Sequence, residues 1–404
     1  MTPTHMPFPL SVRTQHDTDT RAPPLLVVPG LTPPVTPTVD DESLSGSVAT
    51  LHSGASSPFL SPIEGKLKDV DAEDRTVSTS DSFTDELEYH TDPRGQPVEF
   101  GRGLWSVVYK ATPCESSKPY LLTPPSSPAV KARTVAVKSP ARRDAHSILD
   151  AESARLDPGL VVSLGGYIAD SHSIVMSAVP LALSTYIEEQ AAVALQNKTT
   201  RTMFEPIQGM TQWHDLAKKL ITGLCWLHDG PQMVHGDVKP HNILLRARSS
   251  GDDLESDHFP YEPLFADFSS AHPISNPSSP ESSLGTALTA LTPPFTAPEL
   301  LRVSSLKSPD VAPTPESDVF SLAVTLLAAA TGDLLLYPGA NHFQRLAMAR
   351  EGHRVIEFAR SGPNGSRIPR NGIVEQIIKP AIVKEPSQRI KPADWVNLIE
   401  SISI

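Results

Sequence analysis

The chain has 404 residues, a formal net charge of −12, 41 prolines and two cysteines. Residues 1–97 hold 13 of the prolines and carry 15 Asp and Glu against 6 Lys and Arg, so most of the negative charge lies there. With few aromatic residues, this segment cannot bury enough apolar surface to offset the entropy of ordering its backbone. We predict a disordered, acidic, Pro/Ser/Thr-rich tail over residues 1–97 and one folded domain over residues 98–404.

The composition also excludes several classes of protein. Cys114 and Cys225 lie far apart in unrelated contexts, which argues against a disulfide framework or a thiolate zinc site. Outside the tail the chain is only mildly acidic and lacks the basic surface that nucleic-acid binding needs. No apolar run approaches the roughly 18–20 residues that span a bilayer, and the first residues lack the pattern of a secretory signal. We expect no nucleic-acid partner, no membrane span, and a cytoplasmic or nuclear location.

The first part of the domain is predicted to be rich in strands. Apolar and β-branched runs predict strands over residues 100–111 and 134–138. The proline-rich stretch between them, residues 112–129, is interpreted as an inserted hairpin loop. Helical spacing of apolar residues predicts a helix over residues 145–156. Further strands are predicted over residues 161–164, 167–168 and 173–176.

From about residue 183 onward the pattern becomes helical. Residues 213–228 carry their apolar side chains on one face, and residues 319–330 are apolar almost all round, as in a buried helix. Strands followed by helices predict an α+β fold with a small β-rich N-lobe over about residues 98–176 and a large helical C-lobe over about residues 180–404. A cleft is expected between the two lobes.

The most informative segment is residues 233–245, which read MVHGDVKPHNILL. A carboxylate at Asp237 can accept a hydrogen bond from an attacking hydroxyl, the amide oxygen of Asn242 can reach a Mg²⁺ ion, and Lys239 can neutralise charge on a moving phosphoryl group. The segment resembles the catalytic loop H-R-D-x-K-P-x-N of eukaryotic protein kinases, and a lysine two residues after the aspartate is typical of the serine/threonine type. This resemblance implies the bilobal protein kinase fold.

Three further segments carry the same resemblance. Residues 264–269, LFADFS, resemble the D-F-G metal motif, which implies that Asp267 binds Mg²⁺ together with Asn242. Residues 100–109 resemble the glycine-rich phosphate loop, and residues 135–138, VAVK, resemble V-A-I-K with Lys138 on the α- and β-phosphates and paired with Glu152. The residues expected around ATP are Gly101, Gly103, Ser106, Val108, Ala136, Lys138, Met176 and Ala178 of a hinge at residues 174–180, and Leu244.

Two structural pairings also follow from the resemblance. Residues 296–300 resemble the A-P-E segment, so Glu299 is expected to pair with Arg389. Asp318 resembles the aspartate of a buried helix that holds the backbone of the catalytic loop.

The sequence departs from the kinase pattern at three positions. Gly236 replaces the arginine that commonly pairs with a phosphorylated activation loop, so we hypothesise activity that does not require such phosphorylation. Ser269 replaces the third letter of D-F-G, and a positive φ there would cost about 1 kcal/mol more than for glycine. Ser106 replaces the third glycine of the phosphate loop. None of these changes removes a group that binds metal, phosphate or the attacking hydroxyl.

The sequence therefore predicts a serine/threonine protein kinase that uses ATP and Mg²⁺ on protein substrates, with Asp237, Lys239, Lys138 and Glu152 as catalytic residues. One alternative is a pseudokinase that binds nucleotide as a scaffold or allosteric partner, although Lys138, Asp237 and Asp267 are all present. Another is that the tail, which contains several Ser-Pro and Thr-Pro pairs, is the working part and binds regulators while the domain serves as a docking platform.

Overall fold

The computed structural model describes residues 82–83, 85–114, 134–155, 164–197, 199–200, 202–248, 258–274, 291–302, 305, 311–337 and 339–404. Most of the predicted tail and of the predicted loop at residues 112–129 lies outside the described residues, as do residues 161–163 of the strand predicted over residues 161–164.

Six antiparallel strands form the sheet of the N-lobe. The strands are β1 Leu87–Tyr89, β2 Glu99–Arg102, β3 Ser106–Pro113, β4 Val135–Pro140, β5 Leu164–Ile168 and β6 Ser173–Ser177. Their spatial order is β1-β3-β4-β6-β5, and β2 pairs with β3. The helix α1 spans His146–Arg155, as predicted, and lies between β4 and β5 in the chain.

The folded domain begins earlier than the predicted residue 98. Strand β1 pairs with the end of β3, and the backbone N–H of Phe83 donates to the carbonyl of Tyr167 at 2.9 Å. Phe83 and Leu87 pack against the apolar core of the sheet. A three-residue strand in a polar, acidic context leaves almost no periodic signal, which is why the sequence assigned it to the tail. The predicted break between two strands before Tyr167 is also wrong, because β5 passes through the pair of glycines with a local shift in register.

Strand β4 is central to the sheet and is buried along residues 135–138, which accounts for its β-branched sequence. Its register places Lys138 opposite Val108 of β3 and Ala136 opposite Met176 of β6. Because alternate residues of a strand share a face, these four side chains belong to one face of the sheet. The sheet thus gathers four of the predicted ATP-binding residues on one side.

The C-lobe is mainly helical, with two small antiparallel pairs, β7 with β10 and β8 with β9. The pairs are β7 Met233–Val234 with β10 His272–Pro273, and β8 Ile243–Ala247 with β9 Tyr261–Phe265. The helices are α2 Leu183–Gln196, α3 Met210–Asp229, α4 Pro315–Thr331, α5 His342–Arg350, α6 Val355–Arg360, α7 Ile373–Ile378 and α8 Pro392–Ser401.

Helix α4 is the centre of this lobe, and the prediction of a buried helix there is confirmed. It begins with a capping box between Thr314 and Ser317, and it ends at Gly332, whose φ of +74° suits glycine. The indole N–H of Trp213 on α3 donates to the carbonyl of Leu326 at 3.0 Å, so the two helices are joined by a polar contact within the apolar core. Helices α3 and α4 thus form a packed core that supports the loops of the site.

The protein thus has the predicted α+β architecture, with a β-rich small lobe followed by a larger helical lobe. Within the part of the chain that the structure describes, no helix combines the length and apolar character needed to cross a bilayer.

Candidate active site

Lys138 links three parts of the chain. Its ammonium lies 2.7 Å from both carboxylate oxygens of Glu152 on α1 and 2.8 Å from Oδ1 of Asp267, which follows β9. Glu152 also accepts a hydrogen bond from the backbone N–H of Phe268 at 3.1 Å. The predicted pair of Lys138 and Glu152 is therefore present, and it connects the sheet, α1 and the segment after β9.

Lys138 and Asp267 each stabilise the charged form of the other. Burial alone would lower the pKa of Lys138, but Asp267 and Glu152 outweigh it and hold the pKa above its ordinary value, so the lysine stays cationic. Burial would raise the pKa of Asp267, yet Lys138 and the hydroxyl of Ser269 hold it well below its usual range. The attraction of the Lys138 ammonium, 2.8 Å away, outweighs desolvation of the Asp267 carboxylate. Asp267 is thus an ionised carboxylate, and 42 % of its side chain is exposed.

Asp318 of α4 fixes the start of the catalytic loop, as predicted. Its carboxylate accepts hydrogen bonds from the backbone N–H groups of His235 at 2.7 Å and Gly236 at 3.0 Å. It also lies 3.1 Å from Nε2 of His228 on α3. A buried carboxylate with three donors around it is a satisfied charge, and it anchors the loop to the most buried helix of the lobe.

Asp237 lies inside the loop with both of its predicted neighbours. Its Oδ2 accepts hydrogen bonds from Nζ of Lys239 at 2.7 Å and from Nδ2 of Asn242 at 2.9 Å. Burial raises the pKa of Asp237 to about 6 even though Lys239 opposes the shift. The negative charge of Asp267 contributes to this rise in the pKa of Asp237. A carboxylate with a pKa near neutrality is suited to accept a proton from a hydroxyl.

His235 holds the loop against the segment that carries Asp267. Its Nε2 donates to the carbonyl of Ala266 at 3.1 Å, and its Nδ1 accepts the backbone N–H of Asp237 at 3.3 Å. Burial lowers the pKa of His235, so the ring is neutral and can serve as donor and acceptor at once. The ring also packs on Phe268, with centroids 4.8 Å apart. The sequence motif contained His235, but its side-chain contacts were not predicted.

The backbone around Gly236 and Ser269 differs from what the sequence suggested. Gly236 has a φ of +80°, and a Cβ there would lie 2.7 Å from the carbonyl oxygen of Ser270. This position therefore requires glycine for steric reasons. The arginine of the kinase pattern would not fit this backbone without a shift of Ser270. The conditional strain at Ser269 does not arise, because Ser269 belongs to a short 3-10 helix and the positive φ, +62°, falls on Asp267 instead.

The remaining residues predicted around ATP lie in β2 and β3, in the segment that follows β6, and in β8. Gly101 is in β2, and Gly103 donates its N–H to the carbonyl of Ser106 at 2.8 Å across the turn to β3. Ala178 begins the segment that leaves β6 for α2. Leu244 of β8 forms an isolated bridge with Ala182 in that same segment. Leu244 thus lies next to the segment that follows the predicted hinge.

Three contacts near the site involve residues outside the motifs and were not predicted. The guanidinium of Arg142 stacks over the ring of Trp105, 4.6 Å from its centroid, and the N–H of Ala141 donates to the carbonyl of Trp105 at 2.8 Å. They tie the turn of the phosphate loop to the end of β4. Nζ of Lys239 also lies 3.3 Å from Oγ1 of Thr292, which brings the segment before Glu299 to the catalytic loop.

The oxygen donors suit a hard divalent cation such as Mg²⁺. Asp267 offers a carboxylate, and Asn242 donates through its amide nitrogen to Asp237, which leaves its amide oxygen available. The backbone N–H of Ala266 donates to the carbonyl of Asn242 at 2.8 Å, so the segments that carry the two candidate ligands are adjacent. Among the described residues, no group of three or more His, Cys, Asp or Glu is placed to hold a metal ion. Two protein ligands fit Mg²⁺ that takes its other ligands from phosphates and water.

The predicted pair of Glu299 and Arg389 is also present. The two side chains form two parallel hydrogen bonds of 2.7 Å, and the side chain of Arg389 is fully buried. Arg389 further donates to the carbonyl of Glu316 at the start of α4 at 2.9 Å. The segment around Glu299 is therefore joined through Arg389 to the start of helix α4.

Comparison with known families agrees with this geometry. A family model described as the protein kinase domain matches residues 160–398, more than half of the chain. The match includes Asp237, Asn242 and Asp267, whereas Lys138 and Glu152 precede it and are tied to the site by their contacts. No curated protein is significantly similar to the chain. The chain belongs to the protein kinase family.

Proposed function

We propose that this protein kinase is active, uses Mg·ATP, and transfers the γ-phosphate to serine or threonine hydroxyls of protein substrates. The observation that carries the proposal is the convergence of Lys138, Asp237 and Asp267. Lys138 contacts Asp267 directly, and Asn242 joins Asp237 to the segment before Asp267. These residues come from three distant parts of the sequence, and each carries a group that phosphoryl transfer needs.

Each of these residues has its own role in the proposed reaction. Lys138, held by Glu152, is placed to bind the α- and β-phosphates, and Asp267 with Asn242 would hold Mg²⁺, which supplies electrostatic stabilisation of the phosphate charge. Asp237 orients the substrate hydroxyl and accepts its proton. Lys239, 2.7 Å from Asp237, is placed to offset the negative charge of the transferring group. The serine/threonine assignment rests on Lys239, whose position two residues after Asp237 is typical of that type.

A phosphotransfer assay tests the proposal. Purified protein, radiolabelled ATP, Mg²⁺ and generic Ser/Thr substrates should give labelled product, and phosphoamino-acid analysis should find phosphoserine or phosphothreonine. Asp237→Asn should keep ATP binding but reduce transfer by about 10²-fold or more. Lys138→Met and Asp267→Ala should abolish transfer, the first through phosphate contacts and the second through Mg²⁺ binding.

The outcomes separate the proposal from a pseudokinase. Nucleotide binding without transfer in the wild-type protein would assign the chain to that alternative. Turnover retained in Asp237→Asn would remove Asp237 from its role while leaving the family membership intact. Label on tyrosine alone would overturn the serine/threonine assignment.

A further inference from the structure

A polar cluster lies on the outer side of α1, away from Lys138. Asp150 of α1 accepts a hydrogen bond from the hydroxyl of Tyr167 on β5, and its Oδ1 lies 2.7 Å from Nδ1 of His172. Burial and the neighbouring carboxylate raise the pKa of Tyr167, so the phenol keeps the proton that it donates. The cluster therefore joins α1 to the strand and the turn that precede β6.

A ring contact strengthens the same junction. His146 stands one helical turn before Asp150, and its ring stacks on that of His172 with centroids 4.2 Å apart and planes inclined by 21°. His172 has a φ of +50°, a conformation that a histidine adopts at a cost. Two residues on one face of α1 thus contact a single residue that the turn holds in an unfavourable backbone conformation.

Helix α1 is short and buries few large apolar side chains. It has ten residues, which is short for a helix to be stable by itself. Leu149 is its one fully buried large apolar side chain among the described residues. Because successive residues turn by about 100°, Asp150 and Glu152 point about 200° apart, to opposite sides of the helix axis. Contacts on both sides oppose rotation about that axis, whereas a contact on one side alone permits it.

We propose that Asp150, Tyr167 and His172 form a clamp that sets the rotation of α1 and so positions Glu152 against Lys138. The clamp residues contact neither nucleotide nor substrate and act through Glu152, so they are positioning residues. The inference rests on the proposed function for its kinetic consequences. Its structural consequence, a change in the order of α1, can be measured without any turnover.

Three substitutions and one control test the clamp. Asp150→Ala removes both hydrogen bonds, Tyr167→Phe removes one oxygen, and Asp150→Asn keeps an oxygen that can accept from the tyrosine. The control is Asp170→Ala, which makes the same change at an exposed carboxylate in the turn that contains His172. Among the described residues, the Asp170 side chain makes no hydrogen bond.

The measurements are the KM for ATP, the KM for the peptide substrate, and hydrogen exchange of the α1 amides. In Asp150→Ala we expect a rise of about five- to tenfold in the KM for ATP, the factor that corresponds to losing one or two hydrogen bonds of ordinary net strength. The KM for peptide should stay unchanged, and α1 should exchange faster. Tyr167→Phe should give part of this effect, Asp150→Asn should restore most of the ATP affinity, and Asp170→Ala should match the wild-type protein.

The result that overturns the clamp is an Asp150→Ala protein whose α1 exchange and KM for ATP equal those of Asp170→Ala. A lower melting temperature with an unchanged KM for ATP would also refute it, since that pattern indicates a structural contact only. If Asp150→Ala does not fold, Tyr167→Phe decides the question by the same readouts. If the wild-type protein shows no transfer, the proposed function fails, and α1 exchange together with the Kd for ATP still decides for or against the clamp.

Discussion

Replacing Gly236 by alanine tests whether the catalytic loop depends on its unusual backbone. A Cβ at this position would lie 2.7 Å from the carbonyl oxygen of Ser270 and 3.3 Å from its Cβ, at a φ of +80°. The φ by itself costs about 1–2 kcal/mol for a residue other than glycine. The collision with a backbone atom adds about 1–3 kcal/mol, as for other overpacked sites.

A control variant isolates the collision from the backbone strain. Gly95 has a φ of +77°, but a Cβ there would meet nothing within 4 Å. Gly95→Ala should therefore lose only the first part, about 1–2 kcal/mol, and Gly236→Ala should lose roughly 2–5 kcal/mol in total. At about 2–4 °C for each kcal/mol, thermal unfolding resolves the difference.

The activity of the two variants should differ as well. Displacing Ser270 moves the segment that carries Asp267, and displacing Gly236 moves Asp237, so Gly236→Ala should lower kcat while Gly95→Ala should not. Equal melting temperatures and equal kcat values in the two variants would show that the contact between Gly236 and Ser270 does not constrain the loop.

Three further predictions follow from contacts and charges of the site. The first concerns the pKa of Asp237, which is raised, so the folded state binds this proton more tightly than the unfolded state does. Without Mg²⁺ or nucleotide, the free energy of unfolding of the wild-type protein should therefore fall as the pH rises from about 4 to about 7.5. The fall, measured relative to Asp237→Asn, should be up to about 3 kcal/mol. The stability is fully present below the ordinary pKa and is lost as the pH rises through about 6, and urea titrations that show the opposite slope would contradict it. Arg389→Leu should lower the free energy of unfolding by about 3–5 kcal/mol, because it leaves Glu299 unpaired. Arg246→Leu breaks an exposed pair with Glu262 and should lower it by only about 0–1 kcal/mol in the same unfolding assay. Arg142→Ala should weaken ATP binding by up to about fivefold through the loss of its stacking on Trp105, while the neighbouring Arg143→Ala should bind ATP as the wild-type protein does in calorimetry.

The short motifs were the part of the site that the sequence predicted best. Each polar group of the catalytic loop has to meet a chemical requirement at a set spacing, so Asp237, Lys239 and Asn242 were identifiable from one segment. The pairing of Lys138 with Glu152 was predicted from their order along the chain, and the 2.7 Å contacts bear it out.

Contacts without a motif could not be predicted in this way. Strand β1 is three residues long, and its place in the sheet follows from pairing with β3 rather than from its own composition. The hydrogen bonds of Asp150 with Tyr167 and His172 join residues of ordinary surface type that are separated by 17 and 22 positions. No local periodicity signals such a contact, because it depends on how α1 lies against the sheet.

The sequence by itself determined that strands precede helices, that helix α4 is buried, and which residues are the candidates for the site. Periodicity and motif spacing are local properties, and a chain carries them before it folds. Tertiary structure decided that Gly236 must be glycine, that the positive φ falls on Asp267 rather than Ser269, and that Asp237 has a pKa of about 6. These properties depend on neighbours brought close by folding, since steric space and desolvation at one residue are set by atoms from distant segments.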